Sequence, residues 1–154
     1  MKSVSSAPAK VILFGEHFIV YGGKAILCSI NKRIAVESEL TKKDRIEIRS
    51  ELGTVKVPRG VDIGDVDSVF RPVAYIAQKV LDQFGSDSGL KIVIKSEIPA
   101  GVGLGSSSAC CVAAASSVSG LFANLPKEDT LKLAIDAEKT IFENASGADS
   151  NICT

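Results

Sequence analysis

With one histidine in 154 residues and no Cys-x-x-Cys pair, the sequence has none of the usual ligand spacings of a zinc site. Cys28, Cys110, Cys111 and Cys153 offer no evident bridge, since sequence neighbours such as Cys110 and Cys111 rarely pair. All four read as small buried apolar groups in a reducing compartment. An excess of either charge is also lacking. Eighteen Lys+Arg cancel eighteen Asp+Glu, which leaves no basic field for nucleic acid and no polybasic segment for a membrane surface. Long apolar runs are missing too. Val11 to Phe14 is too short for the core of a signal peptide, and Ala109 to Leu125 is broken by serines, a glycine and an asparagine, short of the ~20 residues that span a bilayer. No internal repeat or low-complexity linker divides the chain. These absences predict a neutral cytoplasmic globule with a small-molecule partner, and 45% hydrophobic residues suffice for one core.

What is present begins with β-structure. "KVILF" reads as a short strand running into Gly15, Glu16 and His17. "AILCSI" reads as a second strand, and "RIAVESEL" alternates, with Ile34, Val36, Ser38 and Leu40 on one face. "RIEIRS" and "TVKV" follow. A helix is predicted over the segment containing Val69, Val73, Ile76, Ala77, Val80, Leu81 and Phe84, beginning near Phe70 with Pro72 in its first turn and ending at Gly85. "LKIVIKSEI" alternates as a strand with one buried face. Two further helices are expected, from about Ser106 to Phe122 and over "PKEDTLKLAIDAEKTIFEN", with Pro126 near its entry. The closing "ASGADSNICT" reads as a small-residue turn and the start of a strand, so the chain is expected to be a piece of a longer protein. The pattern predicts an α+β fold, a two-layer sandwich with a sheet on one side and helices on the other.

The segment "EIPAGVGLGSSSACC" joins a strand to a helix through three glycines. Such a junction points several backbone N–H groups at one place, and the helix N-terminus adds about half a positive charge. Phosphate oxygens fit there. Without Cβ atoms, Gly101, Gly103 and Gly105 allow close approach and positive φ. Ser106, Ser107 and Ser108 can cap the helix or offer a hydroxyl to phosphate-bound Mg²⁺. No lysine follows Gly105, so the Walker A loop does not match. The third glycine also comes too early for the dinucleotide pattern. A loop stripped for tight packing is the competing reading.

A carboxylate in the wrong place gives a second clue. On the helix after Pro126, Glu138 falls within the stripe Leu131, Ala134, Ile135, Ile141 and Phe142, opposite Lys132, Asp136, Lys139 and Glu143. A buried carboxylate needs a cation or hydrogen bonds. It could form a structural ion pair with Lys10 or another base, or it could be a magnesium ligand, since magnesium takes few carboxylates and shares substrate phosphates. Eleven residues later Asp149 stands in "SGAD", where it either serves chemistry or only bonds its own turn. Lys10 reads as a strand flank or as a partner for such groups, and His17 as a core or a site residue.

Taken together, "SAPAKVILFGEHFIVYG", "IPAGVGLGSSSA" and the Glu138-to-Asp149 spacing resemble the GHMP kinases, and within them mevalonate kinases of archaeal type. The resemblance implies a ribosomal protein S5 domain 2-like N-terminal domain over residues 1–154, with the C-terminal GHMP domain and its third motif missing. It implies phosphorylation of mevalonate by ATP, with the closely related galactose, homoserine and phosphomevalonate kinases, or a non-catalytic binding module of the same fold, as alternatives. By this resemblance Gly101, Val102, Gly103, Leu104, Gly105, Ser106 and Ser107 wrap the ATP phosphates, and Ser96 touches the nucleotide. Ser107 and Glu138 hold Mg²⁺. Asp149 acts on the substrate hydroxyl with Lys10 beside it, while Glu16 and His17 lie around mevalonate. The implied partner is the C-terminal half of the same protein, with a homodimer of the full-length enzyme left open. This chain alone is expected to be inactive. Ala9 and Ala145 depart from the Gly and Pro that many family members carry.

Overall fold

A computed structural model describes residues 1–15, 21–99, 101–143 and 147–154. The sheet has five strands: β1 (Lys2–Phe14), β2 (Ile26–Thr41), β3 (Arg45–Ser50), β4 (Gly53–Pro58) and β5 (Gly89–Ser96). Their spatial order is β1-β2-β5-β3-β4. Neighbours are antiparallel except β3 and β5, which run parallel. A parallel pair needs a crossover. The chain supplies it through β4 and the first helix, α1 (Arg71–Gln83).

One face of the sheet is apolar. Ile34 and Val36, Ile46 and Ile48, Leu90 and Ile92 are buried, as the alternation predicts. Ser38 shares that face and is satisfied there by Ser117, whose hydroxyl lies 2.8 Å from Ser38 Oγ and donates to Ser3 O at 3.0 Å. The other face carries charged side chains, paired across strands in Lys2 with Glu37 at 2.8 Å and along β3 in Glu47 with Arg45 and Arg49.

The first two strands are longer than the sequence suggests. β1 starts at Lys2, and "AILCSI" and "RIAVESEL" form one continuous strand. Asn31 and Lys32 do not end β2; they coincide with a shift of register opposite Pro8 and Ala9. β5 pairs with β2 only from Ile34 to Thr41, so the preceding part of β2 runs past that neighbour. Cys28 lies there and is half-buried, not buried as expected, and Cys110 is likewise half-buried.

The α1 helix ends in a Schellman turn. The N–H of Gly85 (φ +57°) donates to Asp82 O, and that of Ser86 to Leu81 O. Its expected stripe is buried from Val73 to Leu81, but Val69 precedes the helix and is exposed. The α2 helix (Ser106–Ser119) is made almost wholly of small residues, and ten of its fourteen residues are buried. Side chains of this size let it pass close over β1 and β2 with α1 and α3 alongside. The α3 helix (Lys127–Glu138) is shorter than the periodicity predicts. Thr140 ends it: both its N–H and its hydroxyl donate to Ala137 O, at 3.1 and 2.6 Å, tightening the last turn. Ile141 and Phe142 therefore leave the helix, and Phe142 is exposed. The final segment is a short helix, α4 (Ala148–Cys153), where a strand was expected. Gly147 enters it at φ +72°, and Asp149 sits in its first turn, where the helix dipole favours an acid. Among the described residues, no helix is long and apolar enough to cross a membrane.

All four cysteines are free. Burial pushes the Cys110 thiol up to about 12 and Cys111 well above the usual thiol range. Burial, reinforced by the nearby Asp149 and Glu138 carboxylates, pushes Cys153 up to about 11. A raised thiol pKa keeps the thiolate scarce until pH rises through it. Native protein treated with iodoacetamide near pH ~8 is expected to leave the buried Cys111 and Cys153 unmodified, whereas denatured protein labels at every cysteine. Peptide mass spectrometry reads the difference, and fast native labelling of Cys111 would contradict this packing.

Candidate active site

The strand β5 delivers the glycine loop to the mouth of the fold, and α2 starts from it. Gly101, Gly103 and Gly105 all have positive φ, at +76°, +74° and +71°. This repeated left-handed backbone explains why three glycines alternate here where a simple corner needs one. No side chain caps α2, so the main-chain N–H groups at its start have no capping hydroxyl. Val102 is exposed on the loop, and the Leu104 carbonyl accepts the Lys10 N–H at 3.0 Å, which hangs the loop on β1. Gly105 has a second reason to lack a side chain: a Cβ there would lie 2.8 Å from Lys10 Cγ.

Lys10 lies within β1, not before a strand, next to the register shift. There Ala9 and Lys10, adjacent in sequence, are both buried. Its ammonium meets Asp149 at 3.0 Å; the lysine side chain is 6% exposed and the aspartate 37%. The strand therefore brings the cation, and α4 brings the acid half open to solvent. These two residues, 139 positions apart, become one unit only in the folded chain.

Glu138 is buried, as the stripe argument requires, but it is not paired with Lys10. Its Oε1 accepts from Ser108 Oγ at 2.6 Å and its Oε2 from Ser150 Oγ at 2.5 Å. Sequence reasoning gave neither serine this role. The only available signals were a third serine in "SSSA" and a serine directly after Asp149. Ser107, expected beside Glu138, is one helical step of about 100° away from Ser108. It lines the same cleft without a direct bond to the carboxylate.

Gly101, Gly103, Gly105, Ser107, Glu138 and Asp149 all border one open cleft of about 720 Å³. A second cavity of about 350 Å³, largely apolar, adjoins it and shares Ser106, Ser107, Ile141 and Phe142. Ser96 lines the second cavity. Its hydroxyl accepts from Ile98 N–H at 3.1 Å and donates to Ile98 O at 2.9 Å, shaping the turn into the loop. Glu16 and His17 lie outside the described residues.

The donor set suits one kind of metal. Among the described residues, no cluster of three or more His, Cys, Asp or Glu side chains could hold an ion by itself. Among the described residues no ion pair involves Glu138, and Lys10 is committed to Asp149. A buried carboxylate satisfied by two hydroxyls still has lone pairs to offer a cation at the cleft. Magnesium, which takes one or two carboxylates and completes its shell with water and phosphate, fits such a site.

A glycine-rich left-handed loop at a helix start, a buried acid and the aspartate of the Lys10–Asp149 pair thus border one cleft of an α+β lobe. Residues 71–154 match the family model described as the GHMP kinases N terminal domain, and the chain belongs to that family. It is 38% identical to the mevalonate kinase of Pyrococcus furiosus, covering 99% of this chain and 49% of that one. The crystal structure of the Methanococcus jannaschii mevalonate kinase superposes with a TM-score of 0.88 at 29% identity, over 99% of this chain and 51% of that one. That of the L. major mevalonate kinase in complex with R-mevalonate gives 0.71 at 26% identity, over 99% and 46%. The chain spans about half the length of the curated relatives it matches.

Proposed function

We propose that this chain is the N-terminal lobe of a mevalonate kinase, which transfers the γ-phosphoryl group of ATP to the primary hydroxyl of mevalonate and so makes 5-phosphomevalonate for isoprenoid synthesis. The observation that carries this reading is the 3.0 Å Lys10–Asp149 pair, whose aspartate lines the same cleft as the glycine loop and Glu138. The substrate is inferred from relatives named mevalonate kinase, one of them solved with R-mevalonate.

The loop amides of residues 101–107 and the start of α2 hold the triphosphate, and the apolar second cavity beside Ser96 takes the nucleoside end. Asp149 Oδ accepts the proton of the substrate hydroxyl. The freed oxygen lone pair attacks the γ-phosphorus, the bond from that phosphorus to the β–γ bridging oxygen breaks, and the electron pair leaves with ADP. Lys10 holds Asp149 in place and offsets negative charge on the group in transit. Bound magnesium, held by Glu138 and the Ser107 hydroxyl, would neutralise phosphate charge. Glu16 and His17 are assigned to the mevalonate end of the site. This lobe spans about half the length of the relatives it matches, so by itself it is expected to turn over negligibly.

A coupled ADP-release assay tests the substrate. The polypeptide carrying both lobes is offered mevalonate, galactose, homoserine and phosphomevalonate side by side. Turnover is expected with mevalonate. Turnover only with a sugar would assign the lobe to a different GHMP kinase.

A further inference from the structure

Glu138 closes α3, Ser108 is the third residue of α2, and Ser150 lies in α4 directly after Asp149. Three helices thus meet at one carboxylate. All three residues are buried, Ser108 at 4% exposure, Ser150 at 0% and Glu138 at 6%. Each hydroxyl donates to a different oxygen of Glu138. A glutamate has three side-chain torsions, and a carboxylate held at one oxygen can still swing about that contact. Held at both, it has a fixed plane. Each oxygen spends one lone pair on a serine and keeps one for another ligand.

We infer that Ser108 and Ser150 are positioning residues that clamp the Glu138 carboxylate in the orientation in which it meets the nucleotide's magnesium. The inference rests on the metal reading of Glu138 proposed above. The clamp has a second consequence. Ser150 anchors α4, and α4 carries Asp149, so the same hydrogen bond ties the orientation of the metal ligand to the placement of the base. Ser108 has no such link. The two serines should therefore separate: Ser108 governs metal affinity, and Ser150 governs metal affinity together with the rate of the chemical step.

The test uses the polypeptide carrying both lobes, with ADP bound and Mn²⁺ as the probe read by electron paramagnetic resonance. Ser108→Ala and Ser150→Ala are expected to weaken Mn²⁺ binding about tenfold, the scale of lost outer partners of metal ligands. Ser108→Thr, which keeps the hydroxyl, should bind nearly as wild type does. At saturating metal Ser150→Ala should lower kcat further than Ser108→Ala does. Serines with a merely structural role would lower the melting temperature without changing Mn²⁺ affinity. Should an alanine variant not fold, the matching Ser→Cys variant replaces it, since a thiol fills the space but donates weakly. Glu138→Gln separates the two levels of the argument. If Glu138→Gln weakens Mn²⁺ binding and neither serine variant does, the clamp is overturned while the metal reading stands. If Glu138→Gln binds Mn²⁺ like wild type, the metal reading fails and the clamp fails with it.

Discussion

In the polypeptide carrying both lobes, Asp149→Asn is expected to lower kcat about 1,000-fold, within the range that a positioned general base contributes. Asparagine has the same shape and can still accept a hydrogen bond from Lys10, but it cannot take a proton from an alcohol. The loop amides and the helix start that grip phosphate lie elsewhere, so nucleotide affinity should be largely retained. The variant loses one charge opposite a buried ammonium. The Asp149 side chain is 37% exposed, and solvent there screens part of the pair. A thermal melt alongside the assay separates a small loss of stability from the loss of turnover. A variant that folds, binds nucleotide and turns over like wild type would remove Asp149 from the mechanism.

Gly105→Ala should damage stability and activity together. Gly105 sits at φ +71°, a region that costs an L-residue roughly 1–2 kcal/mol. The new methyl would also lie 2.8 Å from Lys10 Cγ, too close for either atom to stay in place. A total of about 2 kcal/mol corresponds to a melting point lower by about 4–8 °C in a domain of this size. Turnover should fall further than the stability loss explains, because the side chain displaced is the lysine that holds Asp149. Gly101→Ala is the control: a Cβ there meets nothing within 4 Å, so only the backbone term remains. Equal melting points for the two variants would show that the Lys10 contact does not matter.

The sequence was most legible where a local rule decides the outcome. Pro72 and Gly85 bracket α1 because ring closure fixes φ near a helix start and a missing Cβ permits the left-handed stop. The alternation in β5 and in the second half of β2 marked the buried face correctly, since a strand's side chains must point to opposite sides. The same local logic failed at the ends of elements. Thr140 ended α3 through a hydroxyl that bonds backward, which no apolar periodicity reports. A six-residue segment after Gly147 became a helix, although nothing in so short a run separates helix from strand.

By itself the sequence determined that a bare glycine loop runs into a helix of small residues, and that one carboxylate lies on the buried side of the helix before the last. Those facts follow from residue type and spacing, because steric freedom at glycine and the 3.6-residue turn act over a few positions. Tertiary structure alone decided the partners. It turned Lys10 inward at a register shift, carried Asp149 to it from the far end of the chain, and gave Glu138 two serine partners that neither the ion-pair nor the metal reading had named. Such pairings depend on distances between elements set by how α2, α3 and α4 pack around β1, and no local pattern encodes those distances.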